Sequence, residues 1–109
     1  MDEQSLGPEL VVTTTAEGDR TVVSIKGEID AYTAPGLEER IASLVSDGAN
    51  DIVLDLSETG FIDSSGLRAI LTSQRRLRDG NGELRLRNAS EPVTRLLDIS
   101  GLAEHFTTE

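Results

Sequence analysis

The chain has 109 residues, no cysteine and a formal net charge of −10 at neutral pH, with 37% apolar and 28% charged residues. Its size and composition describe one globular domain able to bury a core without covalent staples, and the missing cysteine excludes disulfides, thiolate metal sites and a cysteine nucleophile. Strong acidity repels nucleic-acid phosphates, and no apolar run approaches the roughly 20 residues that cross a bilayer.

The opening MDEQSLGPEL is acidic and lacks the basic and apolar regions of a signal peptide, so the expected compartment is the cytoplasm. Residues 1–8 read as a flexible N-terminal arm. LVVTTT then carries β-branched residues in a row, AEGDR signals a turn, and TVVSIKGEID alternates, with Val23, Ile25, Gly27 and Ile29 facing one way. The two segments predict an antiparallel hairpin. Thr33 is a candidate N-cap, with Pro35 in the first turn and Leu37, Ile41, Leu44 and Val45 at helical spacing up to Gly48. DIVLDLS is short and apolar, as an interior strand should be. A loop follows, and the next helix enters through Asp63-Ser64-Ser65-Gly66 with Leu67, Ile70, Leu71 and Leu77 on one face. Arg75, Arg76 and Arg78 lie in its last turns, where the helix dipole favours cations. ELRLRN alternates as a strand, and Ser90 caps a short helix bearing Val93, Leu96 and Leu97. The expected order is β-β-α-β-α-β-α: an α/β domain over residues 9–106, with residues 107–109 as a tail. Strand–helix–strand units imply parallel pairing with right-handed crossovers, and the first hairpin makes the sheet mixed.

Most catalytic chemistry lacks its parts. The only lysine, Lys26, sits in a strand, so there is no Walker loop, and no triple-glycine dinucleotide fingerprint is present. His105 is the only histidine, which leaves no metal cluster and no partnered base for a nucleophilic serine. Asp55 ends a strand as a receiver aspartate would, but no acidic pair follows the first strand and no lysine follows the fourth; a local hydrogen bond suits it better. No enzymatic activity, metal or cofactor is expected.

Asp63-Ser64-Ser65-Gly66 is different. Asp63 or Ser64 can cap the helix while Phe61 or Ile62 pins its entrance to the core. One cap suffices, and Gly66 costs about 0.5–1 kcal/mol within a helix relative to alanine. Gly66 reads as keeping the first turn bare for a close-approaching surface. A phosphate on a first-turn serine would meet free amides and the positive helix end. Spacing alone leaves both a plain cap and a phosphorylation switch open. The charge is unevenly spread: residues 1–63 hold 14 acids and 3 bases, residues 64–109 hold 6 acids and 7 bases. That asymmetry suits a basic partner surface as well as simple solubility.

Three blocks, GEIDAYTAPGL (27–37), IVLDLSETGFIDSSGLRAIL (52–71) and VTRLLDISGL (93–102), stand in the order and spacing of a known family. On these residues the chain resembles the STAS-domain anti-sigma factor antagonists. The resemblance implies a single small STAS-like domain, with a mixed four- to five-stranded sheet and helices mainly on one face. It implies a switch in which the unphosphorylated protein binds an anti-sigma factor that is itself a serine kinase and so releases a sigma factor. Phosphorylation by that kinase abolishes binding, and a serine phosphatase restores it. Carried onto this chain, the acceptor is Ser64, and Asp30, Asp63, Ser64, Ser65 and Gly66 form the partner-binding region. The expected protein is a monomer that touches neither nucleic acid nor membrane. The alternative is a STAS scaffold module in a stress-signalling or transporter-associated complex, which would not need a free hydroxyl at Ser64; a nucleotide-binding role is weaker still.

Overall fold

Alternating β-branched residues in the first third of the chain form the expected hairpin, and the sheet grows outward from it. The structure, a computed structural model, describes residues 2–109. Strand β2 (Leu10–Glu17) pairs antiparallel with β3 (Arg20–Ile29) along its whole length. The ten-residue β3 then serves two parallel partners on its other edge. Its first half pairs with β4 (Asp51–Asp55) through Thr21–Ser24, and its second half pairs with β5 (Thr59–Ile62) through Gly27–Ile29. Strand β6 (Glu83–Arg87) continues the parallel array beyond β4. Helices α1 (Ala34–Ser46), α2 (Ser64–Asp79) and α3 (Glu91–Ser100) form the crossovers and the closing element.

One face of this sheet is the core. Val12, Val23, Ile25, Ile29, Ile52, Leu54, Leu84 and Leu86 share that face by alternation and register, and they cluster with Leu37 and Ile41 of α1, Leu67, Ile70 and Leu77 of α2, and Val93 and Leu97 of α3. All three helices therefore cover the same side, as the resemblance implies. At about 25 cal/mol per Å² of apolar area, burial of these fully enclosed aliphatic side chains is the main favourable term.

The sheet is larger than four or five strands: seven are present among the described residues. Residues 2–5, expected as a loose arm, form edge strand β1 (Asp2–Ser5) antiparallel to β2, and Arg40 of α1 ties it down through an ion pair of 2.7 Å with Asp2. Thr107–Thr108, expected as tail, add β7 beside β6. The segment 59–62, read as loop, is β5. None of these short pieces carries periodicity of its own; each forms because a neighbouring strand offers unpaired amides and carbonyls. Thr33 occupies the cap position of α1 but makes no cap bond, and Ser90 of α3 donates instead to the Thr59 carbonyl at 2.5 Å.

The second face carries charge rather than helices. Arg85 bridges Asp51 (2.6 Å) and Glu83 (2.9 Å), Arg87 bridges Glu17 (2.8 Å) and Glu109 (2.6 Å), and Arg20 pairs with Glu109 and Asp51. Val22 and Val53 are buried although they lie outside the cluster that the helices cover. Hydrogen bonds from Arg87 hold the carboxyls of Glu17 and Glu109 below their ordinary value of 4.5. Depressed carboxyls stabilise the fold above that value and lose their contribution as the pH falls through the lowered native values. Arg87→Gln should therefore unfold at lower urea than wild type near pH 7, and the gap should close on acidification below about pH 4.5; a gap unchanged down to about pH 3 would show that the pairs contribute nothing.

Candidate functional site

The parallel pairing of β3 with β5 brings two chain reversals together. Ile29 and Ile62 are register partners, and the Asp63 N–H donates to the Ile29 carbonyl at 3.2 Å, so Asp30 and Asp63 leave the sheet side by side. Each carboxylate then organises the start of a helix. Asp63 is extended and its Oδ1 accepts from the N–H groups of Ser65 (2.8 Å) and Gly66 (3.1 Å), which makes it the N-cap of α2. Asp30 Oδ1 accepts from the N–H groups of Tyr32 (2.9 Å) and Thr33 (3.0 Å). The Thr33 hydroxyl turns back, accepting from the Asp30 N–H at 3.0 Å and donating to the Glu28 carbonyl at 2.8 Å. The entrance to α1 is thus held by Asp30 together with Thr33, rather than by Thr33 as a simple cap.

Ser64, the first residue of α2, is exposed, and its hydroxyl bonds to no other described residue. Ser65 is half-buried beside it. The amides of Ser65 and Gly66 are not free, because Asp63 already takes them; the amide cradle expected for a phosphate is occupied. Gly66 also departs from expectation. It is buried, and a Cβ there would lie 2.7 Å from the Ile29 carbonyl oxygen, 2.8 Å from Ile29 Cγ2 and 2.8 Å from Ile62 Cγ1. Its missing side chain lets α2 rest on the end of β3; it does not clear space for another molecule. Gly27 does the same for the strands: at φ +120°, a Cβ would sit 1.9 Å from the Glu9 carbonyl oxygen. The register shift between Gly27 and Glu28 follows at that point and aims the end of β3 at β5.

The surroundings are acidic and partly apolar. A side-chain hydrogen bond with Glu9, burial, and the charges of Glu9 and Asp30 hold the Glu28 carboxyl above its ordinary value, a sign of crowded negative charge beside the site. Tyr32, 80% exposed, and Phe61, 44% exposed, flank the two aspartates. The sequence reading missed both as site residues. The available signal was composition: only three aromatic residues exist, and neither of these two belongs to an apolar stripe. Asp55, by contrast, accepts from the Ser57 N–H at 3.0 Å, the local bond expected of it.

A model of the STAS domain matches residues 10–109. The chain belongs to the STAS domain family, in its anti-sigma factor antagonist group. The anti-sigma-B factor antagonist of Bacillus subtilis is 39% identical over 82 residues, which cover 75% of this chain and 74% of that protein. Among solved structures, an anti-sigma factor antagonist from Mycobacterium paratuberculosis superposes with a TM-score of 0.82 at 29% identity, covering 94% of this chain and 87% of that one. SpoIIAA, a Bacillus cell fate determinant solved in its phosphorylated form, shares the fold, with a TM-score of 0.70 at 22% identity and 90% coverage of both chains. Among the described residues of this STAS domain, no helix is long and apolar enough to cross a membrane.

Two substitutions separate the roles at the helix entrance. Asp63→Ala leaves the first-turn amides without a cap and should cost about 1–2 kcal/mol in urea unfolding. Gly66→Ala forces its methyl group into the β3 backbone and should cost as much or more, about 1–3 kcal/mol. A Gly66→Ala protein as stable as wild type would show that the helix can shift off β3.

Proposed function

We propose that this STAS domain is an anti-sigma factor antagonist whose binding surface is the Asp30, Tyr32, Phe61, Asp63, Ser64 and Ser65 rim, and that phosphorylation of Ser64 switches binding off. Gly66 supports that rim from within. The observation that carries the reading is the state of Ser64: exposed, unbonded to other described residues, and fixed on the first turn of a helix whose cap is a neighbouring carboxylate. A hydroxyl in that position is available to a second protein in a way that a capping hydroxyl is not. The antagonist names of the relatives and the phosphorylated state of the SpoIIAA fold support the same role.

The chemistry divides between the partners. The anti-sigma factor, as a serine kinase, positions ATP; Ser64 Oγ forms a bond to the γ-phosphorus as the bond to ADP breaks, and the hydroxyl proton passes to a base on the kinase. This chain supplies the rigid placement of Oγ. The product adds about −1.5 to −2 charges at pH 7 beside Asp63, Asp30 and Glu28. Water solvates that charge in the free protein, whereas a docked surface must desolvate it. A penalty of roughly 3 kcal/mol weakens binding more than 100-fold, so release requires no rearrangement of α2. A serine phosphatase resets the switch. Exposed aromatic side chains such as Tyr32 and Phe61 are suited to anchor the unmodified complex.

Incubation with candidate anti-sigma kinases and ATP should add one phosphate to wild type, mapped to Ser64 by mass spectrometry, and none to Ser64→Ala. Ser64→Glu should bind the anti-sigma factor at least about tenfold more weakly, and Tyr32→Ala should weaken binding with no loss of thermal stability. Unaltered affinity of Ser64→Glu would refute the switch.

A further inference from the structure

We propose that Arg68 is the intramolecular counter-ion of a phosphate on Ser64. The inference rests on the switch reading above and specifies what holds the modified state in place. A phosphate at Ser64 faces a deficit of positive partners. The first-turn amides of Ser65 and Gly66 are already given to Asp63. The acidic groups around it, Asp63, Asp30 and Glu28, repel it. Six of the chain's ten basic side chains, Arg20, Lys26, Arg40, Arg85, Arg87 and Arg95, are engaged in ion pairs. Among the described residues, the four without an ion pair are Arg68, Arg75, Arg76 and Arg78, all on α2.

Of these four, only Arg68 is within reach. It lies four residues after Ser64, on the same helix face, where Cβ atoms are about 5–6 Å apart. Arg75 lies eleven residues from Ser64, about 16 Å along the axis. Helical side chains lean toward the N-terminus, so the Arg68 stem is directed over the turn that begins with Ser64. Arg68 is exposed, and its helical neighbours at three and four residues, Ser64, Ser65, Leu71 and Thr72, are all uncharged. The unmodified helix thus offers it no carboxylate, and a phosphate on Ser64 would be its first counter-ion there. The guanidinium fork matches two phosphate oxygens. Paired in this way, the phosphate stays doubly charged at neutral pH and the first turn of α2 keeps its shape against repulsion from Asp63. The modified state therefore blocks the partner by charge while the domain remains folded.

The test uses the full chain with phosphoserine installed at position 64 during protein synthesis, so that no kinase is required. Phosphorus NMR follows the second ionisation of the phosphate. In wild type it should lie about 0.15–0.35 pKa units below that of Arg68→Gln, the equivalent of one helical ion pair. Arg68→Lys should restore most of the difference, Arg78→Gln should titrate like wild type, and about 1 M salt should shrink the difference. Coincident curves for wild type and Arg68→Gln would overturn the pairing, as would an equal displacement in Arg78→Gln or a difference insensitive to salt. A kinase that ignores Ser64 would sink the switch and leave this titration intact; coincident titrations would sink the role of Arg68 and leave phosphate-driven release intact.

Discussion

The contact between the first turn of α2 and the end of β3 is the constraint on which the site depends. Gly66 lies against the Ile29 carbonyl and the side chains of Ile29 and Ile62, with no room for even a methyl group. That approach places Asp63 where its amide can bond the Ile29 carbonyl and its carboxylate can cap α2. Once Asp63 is fixed, Ser64 has nowhere to point but outward. The glycine carries a helix-propensity cost of about 0.5–1 kcal/mol, smaller than the cost of overpacking a larger residue there, about 1–3 kcal/mol. Packing decides the residue.

Electrostatics is segregated across the sheet. On the face without helices, Arg20, Arg85 and Arg87 are interleaved with Glu17, Asp51, Glu83 and Glu109, so positive charge there is spent on carboxylates of the same face. At the carboxyl ends of β3 and β5, the acids Asp30, Asp63 and Glu28 gather with no arginine bound among them, and the two aspartates bond backbone amides instead. These two carboxylates stay in place because the helix starts need them. A structural cap and a repulsive neighbour for phosphate are therefore the same atoms. The unpaired arginines run along α2, starting one turn beyond Ser64, and this places the positive charge next to the proposed modification rather than beneath it.

Much of this was legible from local pattern. Alternation in residues 21–30 located β3, helical spacing located α1 and α2, and an aspartate followed by two serines and a glycine marked the helix entrance. The resemblance placed Asp30 near Ser64, and the β3–β5 pairing shows how the two loops meet. What local pattern did not carry were segments whose state is set by a distant partner. DEQS and TGFI have little strand signal, yet β1 completes the edge of β2 and β5 completes the second half of β3. Thr33 and Ser90 are ordinary capping residues by type, but nearby acceptors, the carbonyls of Glu28 and Thr59, draw their hydroxyls away.

By itself, the sequence determined the fold class, the family and the position of the candidate serine, because periodicity, turn chemistry and motif order are properties of neighbouring residues. Only the tertiary structure decided that Gly66 faces inward, that Asp63 consumes the amides a phosphate would have used, and that Tyr32 and Phe61 stand open to solvent. Those facts depend on which backbone lies within a few ångströms, and the strand end on which this helix entrance rests, at Ile29, is more than thirty residues earlier in the chain.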